Sequence, residues 1–107
     1  MIRIGSVLRV RPEYFEEYKR LHAAVWPDVL EMIRKCNIRN YSIYHKDGFL
    51  FSYYEYTGTD HDADMALMAA DPRTREWWGV VGPMQEPLET RQPGEWWASM
   101  DEVFHAE

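Results

Sequence analysis

Cysteine is almost absent from this 107-residue chain. Cys36 stands alone, so no intramolecular disulfide can form. An excess of basic residues is also missing: twelve Lys and Arg face eighteen Asp and Glu, for a formal net charge of -6. That balance argues against nucleic acid and against an anionic membrane surface as partners, since both are held by clustered cations. No apolar stretch approaches the ~20 residues of a membrane span. The opening MIRIGSVLRVRPE lacks the apolar core and small-residue cleavage pattern of a secretory signal. These absences lead to the expectation of a soluble cytoplasmic protein.

Several chemistries lack their usual residues. There is no GxGxxG, no P-loop and no HExxH. No Ser sits in a nucleophile-elbow pattern, and no pair of carboxylates stands out as a glycosidase pair. His22, His45, His61 and His105 are scattered, without Cys or carboxylate companions at ligand spacing, so no metal site is expected. Cys36 falls at the end of a predicted helix and reads as structural.

Aromatic rings are abundant. Five Trp and seven Tyr are many for this length, and they suit a ring-built core and subunit interface, a ring-lined pocket, or both. The length fits a single domain over residues 1–107. Ile2, Ile4, Ser6, Leu8 and Val10 alternate with Arg3, Gly5, Val7 and Arg9, which predicts a strand. Pro12 then suits a first helical turn, with Glu13, Glu16 and Glu17 in favourable early positions. Phe15, Tyr18, Leu21, His22, Val25 and Trp26 carry the helical period. Pro27 cannot donate to a helix ladder and disfavours helix at the residue before it. A break is therefore expected at Trp26-Pro27, with the helix resuming to about Lys35.

IRNYSIYHKDGFLFSYYEY reads as a hairpin. Two β-rich runs flank Asp47-Gly48, a pair suited to a type I′ turn. The pairing sets Lys46 opposite Phe49, Tyr44 opposite Phe51 and Tyr41 opposite Tyr54. Tyr41, Ile43, His45, Leu50, Ser52, Tyr54 and Tyr56 then share one face, and Asn40, Ser42, Tyr44, Phe49, Phe51, Tyr53 and Glu55 the other. Both faces hold large rings. One helix layer covers one face, and a second copy stacked sheet on sheet would cover the other. Residues 60–79 predict helix, broken at Asp71-Pro72. Residues 80–96 predict a loop, and Ser99–His105 a final strand. The order is β-α-β-β-α-β, an α+β ferredoxin-like arrangement.

The residues with the most chemical potential lie on YKRLHAAVWPD. Tyr18, His22 and Trp26 are four apart, which on one helix places them in one stripe. Each has an apolar body and one polar edge. Imidazole can take or give a proton near neutral pH. Phenol donates without charge, and indole stacks on the C–H face of a sugar while its N–H addresses a hydroxyl. The set suits a small, neutral, polyhydroxylated ligand. Trp77 and Trp78 are adjacent on a predicted helix and point about a hundred degrees apart, so one can line a pocket while the other packs in the core. Trp96-Trp97 reads as a loop packed on a partner subunit.

Tyr18, His22, the Trp26-Pro27 pair, Asn40-Tyr41, the Trp77-Trp78 pair and the closing Glu102-Val103-Phe104 together resemble the L-rhamnose mutarotases. The resemblance runs over nearly the whole chain. It implies a homodimeric α+β barrel, no metal or organic cofactor, and interconversion of the α and β anomers of a 6-deoxyhexose. It also implies His22 as the catalytic proton donor, with Tyr18, Tyr41 and the Trp77-Trp78 pair binding the sugar; Trp26 joins them as a ring on the same stripe. One segment departs: where the family is commonly rich in Asn, Asp and Pro, this chain reads QEPLETRQPGEWWAS. That difference bears on the sugar, L-rhamnose or L-fucose, more than on the reaction. A cofactor-free monooxygenase and a non-catalytic ligand-binding dimer are the competing readings of the same fold.

Overall fold

The amino-terminal alternation becomes a nine-residue strand, β1 (Ile2–Val10), in a computed structural model that describes all residues 1–107. Ser6, Leu8 and Val10 are buried, while Arg9 is exposed, as the period of two requires. A 3-10 turn over Pro12–Tyr14 leads into α1 (Phe15–His22), which has Glu16 and Glu17 in its first turn and Lys19 and Arg20 in its last, both favourable to the helix dipole. The chain breaks at Ala23–Trp26 and resumes as α2 (Pro27–Lys35), with Pro27 in the first turn. Trp26, forced out of helix by the proline after it, has ψ 133. Trp26 therefore does not continue the helical stripe of Tyr18 and His22, because α1 ends at His22.

β2 (Ile38–Lys46) and β3 (Phe49–Tyr56) form the expected hairpin. Asp47 and Gly48 both have positive φ, 53 and 83, which is the signature of a type I′ turn. Lys46 faces Phe49 and Tyr44 faces Phe51, but the register shifts between Arg39 and Ser42. Asn40 lies in that bulge at φ 52, and Tyr41 falls beside it instead of pairing in the ladder with Tyr54. The extra residue switches the parity of the strand, which is how Ile38 reaches the core opposite Tyr56.

α3 (His61–Ala70) and α4 (Pro72–Val81) are separated at Asp71. Each starts with an aspartate cap: Asp60 accepts from the Ala63 amide, and Asp71 from the Thr74 amide at 2.9 Å and its hydroxyl at 2.8 Å. The segment expected to be loop contains a 3-10 turn and a two-residue strand, β4 (Gln85–Glu86), paired with Arg9 and Val10. The last strand is shorter than expected. β5 covers only Ala98–Met100, paired with Gly5–Val7, and Val103 and Phe104 are exposed beyond it.

The sheet order is β2-β3-β1, with β4 and β5 both on the free side of β1, and every pairing is antiparallel. This is the ferredoxin-like order. All four helices pack on one face. Leu8, Val10 and Leu50 of the sheet meet Tyr18, Val29, Trp77 and Val81 in one cluster, and Met32, Cys36, Ile38 and Met68 make a second. Leu8 is wholly buried, and a buried Leu contributes about 1.5–3 kcal/mol over an exposed one. The opposite face holds Tyr44 and Phe51, 68% and 37% exposed, and no helix covers it.

Candidate active site

Local rules bring the functional rings together. Tyr18 and His22 lie one turn apart on α1, and their rings stack at 4.1 Å between centroids. His22 also meets the edge of Trp77 at 5.2 Å. Trp26, though off the helix, reaches the same ring at 5.2 Å, and the Arg73 guanidinium sits 4.0 Å over its face. Trp77, the buried partner of the tryptophan pair, joins the two halves of the broken helix. Trp78, one position on, is 44% exposed and stands outside this cluster.

The hydrogen bonds fix the state of His22. Nδ1 lies 2.8 Å from the Tyr18 carbonyl oxygen. A carbonyl only accepts, so Nδ1 carries the hydrogen and donates. In the neutral ring Nε2 is then a bare acceptor, and the chain gives it no partner. Burial pushes the imidazole below its ordinary value, more strongly than the bond to the carbonyl raises it. At neutral pH the side chain is therefore a neutral base with one defined open nitrogen.

Tyr18 is buried and hydrogen-bonded to Gln85, whose amide nitrogen lies 3.0 Å from the phenol oxygen. Burial raises the phenol, and the bond from Gln85 works against that rise. Tyr41 stands at the bulge with its ring 5.6 Å from that of Tyr54. Although 41% of Tyr41 is exposed, its phenol is pushed far above its usual range, by desolvation first and then by the nearby Tyr18 and Tyr54 phenols. Tyr54 in turn is 2.8 Å from His61 Nε2.

Two residues of this site carry no signal in the sequence. Gln85 was read as loop, and Trp96 as part of a partner contact. Within the chain, Trp97 packs against the core, and Trp96 Nε1 donates to Gln85 Oε1 at 2.8 Å. Neither spacing nor periodicity points from Trp96 to Gln85 to Tyr18, because the link closes only when β4 pairs with β1.

Two open grooves lie elsewhere. One is lined by Asp28, Glu31, Lys35, Asp71 and Arg73, the other by Phe15, His45 and Asp47. Neither contains His22, and neither presents a buried base beside a hydroxyl donor. No three His, Cys, Asp or Glu side chains converge in a cluster able to hold a metal ion. No helix is long and apolar enough to cross a membrane.

Comparison with known proteins settles the family. The family model described as L-rhamnose mutarotase matches residues 3–106. The chain belongs to the L-rhamnose mutarotase family. An L-rhamnose mutarotase of Ligilactobacillus salivarius is 30% identical over 109 residues, covering 97% of this chain and 96% of that one. One from Phocaeicola vulgatus is 30% identical over 107 residues, covering 98% of each. Among solved structures, the L-rhamnose mutarotase of Formosa agariphila superposes with a TM-score of 0.78 at 18% identity, with both chains fully covered. The tetracenomycin F2 cyclase of Streptomyces glaucescens gives 0.72 at 17% identity, also with both chains fully covered. These two likenesses establish the dimeric α+β barrel fold for this mutarotase-family chain. The polyketide cyclase among them shows that the fold alone does not choose the chemistry.

Proposed function

We propose that this chain interconverts the α and β anomers of a 6-deoxyhexose, with L-rhamnose as the preferred sugar and L-fucose as the second candidate. It works as a cytoplasmic homodimer and uses no metal or organic cofactor. His22 is the catalytic acid-base group. Tyr18, Tyr41, Trp26 and Trp77 contact the sugar, and exposed Trp78 forms the rim.

The observation that carries the reading is the geometry of His22. Its Nδ1–H is tied to the Tyr18 carbonyl, so Nε2 is the nitrogen left to act. Mutarotation begins when a base takes the proton of the anomeric hydroxyl while the ring oxygen receives one. A neutral imidazole with a lowered proton affinity is the base form at neutral pH. On reclosure the same imidazolium returns its proton, so the group expected as a proton donor acts first as an acceptor. The reaction already runs in water, and a placed acid-base group worth roughly 10²–10⁴-fold meets much of the demand. Neutral phenols and indole faces suit an uncharged sugar.

The test is saturation-transfer NMR between the anomeric protons of L-rhamnose, and then of L-fucose, with catalytic amounts of protein. Exchange above the buffer rate, faster for L-rhamnose, is the expected result. Equal buffer-level exchange for both sugars would remove the reading, and faster exchange of L-fucose would reassign the substrate. Trp78→Ala is expected to raise KM several-fold with kcat little changed.

A further inference from the structure

The sequence leaves open which group gives the ring oxygen its proton. Three hydrogen-bonding groups decide it by direction. Indole Nε1–H can only donate. Trp96 Nε1 lies 2.8 Å from Gln85, so the Gln85 atom facing it is the carbonyl oxygen. That fixes the amide: its nitrogen faces Tyr18, 3.0 Å from the phenol oxygen. An amide nitrogen can only donate, so Tyr18 Oη is the acceptor of that bond. Its own hydrogen must point elsewhere, and no other group of the chain takes it. Gln85 is 7% exposed and Tyr18 3%, so water competes little for either bond. Trp96 is 49% exposed and reaches in from the loop before β5.

We propose that Trp96 and Gln85 form a one-way hydrogen-bond chain that holds Tyr18 as a hydrogen donor toward the sugar ring oxygen, with Gln85 as the positioning residue. The inference rests on the mutarotase reading for its ligand but not for its geometry. The step balances. His22 Nε2 takes the proton of the anomeric hydroxyl, and that O–H pair becomes the second bond of the carbonyl. The bond between the anomeric carbon and the ring oxygen breaks, its electron pair goes to the ring oxygen, and that oxygen takes the Tyr18 proton. Rotation about the adjacent carbon–carbon bond presents the other face of the carbonyl. Reclosure returns the ring-hydroxyl proton to the Tyr18 phenolate and the imidazolium proton to the new anomeric hydroxyl. Both groups end as they began. The bond donated by Gln85 stabilises the phenolate while it exists.

The test uses four variants of the full chain and two readouts. The first readout is titration of Tyr18, followed by its ring carbon bearing oxygen in 13C-tyrosine NMR and assigned with Tyr18→Phe. Gln85→Leu removes a donor to the phenol oxygen, so Tyr18 is expected to bind its proton roughly tenfold more tightly, the worth of about one hydrogen bond. The second readout is anomer exchange. Gln85→Leu is expected to lower kcat about tenfold with KM within about twofold, the pattern of an interaction made in the transition state. Trp96→Phe, which frees the amide to turn over, is expected to lower kcat less. Gln85→Glu gives the sharpest outcome. As a carboxylate it accepts from Tyr18 and turns the hydroxyl inward; as a neutral acid it donates again. Its rate relative to wild type is therefore expected to rise as pH falls. A Tyr18 titration unchanged in Gln85→Leu, or a Gln85→Glu rate ratio flat with pH, would overturn the chain. If wild type exchanges neither sugar, the mutarotase reading fails, and the Tyr18 titration still decides the geometry.

Discussion

At the scale of the residue, the site is a set of neutral polar edges among rings. The meeting of His22 with Tyr18 was legible in the sequence, because residues one turn apart on a helix share a face. The His22 tautomer was not legible, since that depends on the ring turning back so that Nδ1 lies against the Tyr18 carbonyl of its own helix. Gln85 was invisible for a similar reason: a glutamine in a loop acquires meaning only from what folds onto it. The pH dependence follows from the neutral imidazole. Burial lowers its proton affinity, so the folded state favours the uncharged ring. Exchange is expected to be level above the ordinary histidine value of about 6.5 and to fall at lower pH as Nε2 is protonated. Stability carries the same sign: the contribution of neutral His22 is complete above about pH 6.5 and is lost as pH drops through and below that value. Chemical unfolding from pH 7.5 to 5 checks this, and His22→Gln should show a smaller loss over the range.

At the scale of the element, the breaks matter as much as the helices. Pro27 and Pro72 each begin a helix, and both breaks were legible because proline acts locally. The break at Trp26-Pro27 also corrected the stripe. It frees Trp26 from the helical period and lets it meet Trp77 from a different direction. The bulge at Asn40 was not legible. A positive φ at a non-glycine residue is set by the need to bury Ile38 opposite Tyr56, which no local pattern records. The last strand was read too long for the converse reason: the alternation continues past Met100, but β1 offers pairing only to Gly5–Val7. Asp71 is the element-scale test. It caps α4, the helix that delivers Trp77 to His22. Asp71→Ala is expected to lower the thermal midpoint by roughly 4–8 °C and to reduce exchange as well, because the Trp77 edge moves with the helix start. Unchanged exchange beside a lowered midpoint would show that α4 is positioned by packing alone.

At the scale of the whole molecule, the fold was the most legible feature. Alternation, two proline breaks and one Asp-Gly turn were enough to order the strands and helices, since each is set by local chemistry. The uncovered sheet face was also foreseen, from rings on both sides of the hairpin. Phe49 and Phe51 lie on it 6.1 Å apart, with Tyr44 exposed nearby and Arg9 4.7 Å over Phe49. An apolar face of this kind is what the proposed homodimer would bury. Tyr44→Asp with Phe51→Asp, both remote from His22 in the sheet, is expected to yield a folded monomer by sedimentation velocity. A dimer that persists in this double variant would place the interface elsewhere.

The central claim is that His22 exchanges the anomers of a 6-deoxyhexose. Its most direct test is the rate of anomeric exchange of L-rhamnose by saturation-transfer NMR, measured side by side for the wild-type chain and for folded His22→Ala. The expected result is clear acceleration by the wild type and a loss of ~10²–10⁴-fold in the variant. Full exchange by the variant would contradict the role assigned to His22. Exchange at the buffer rate by the wild type would contradict the activity itself.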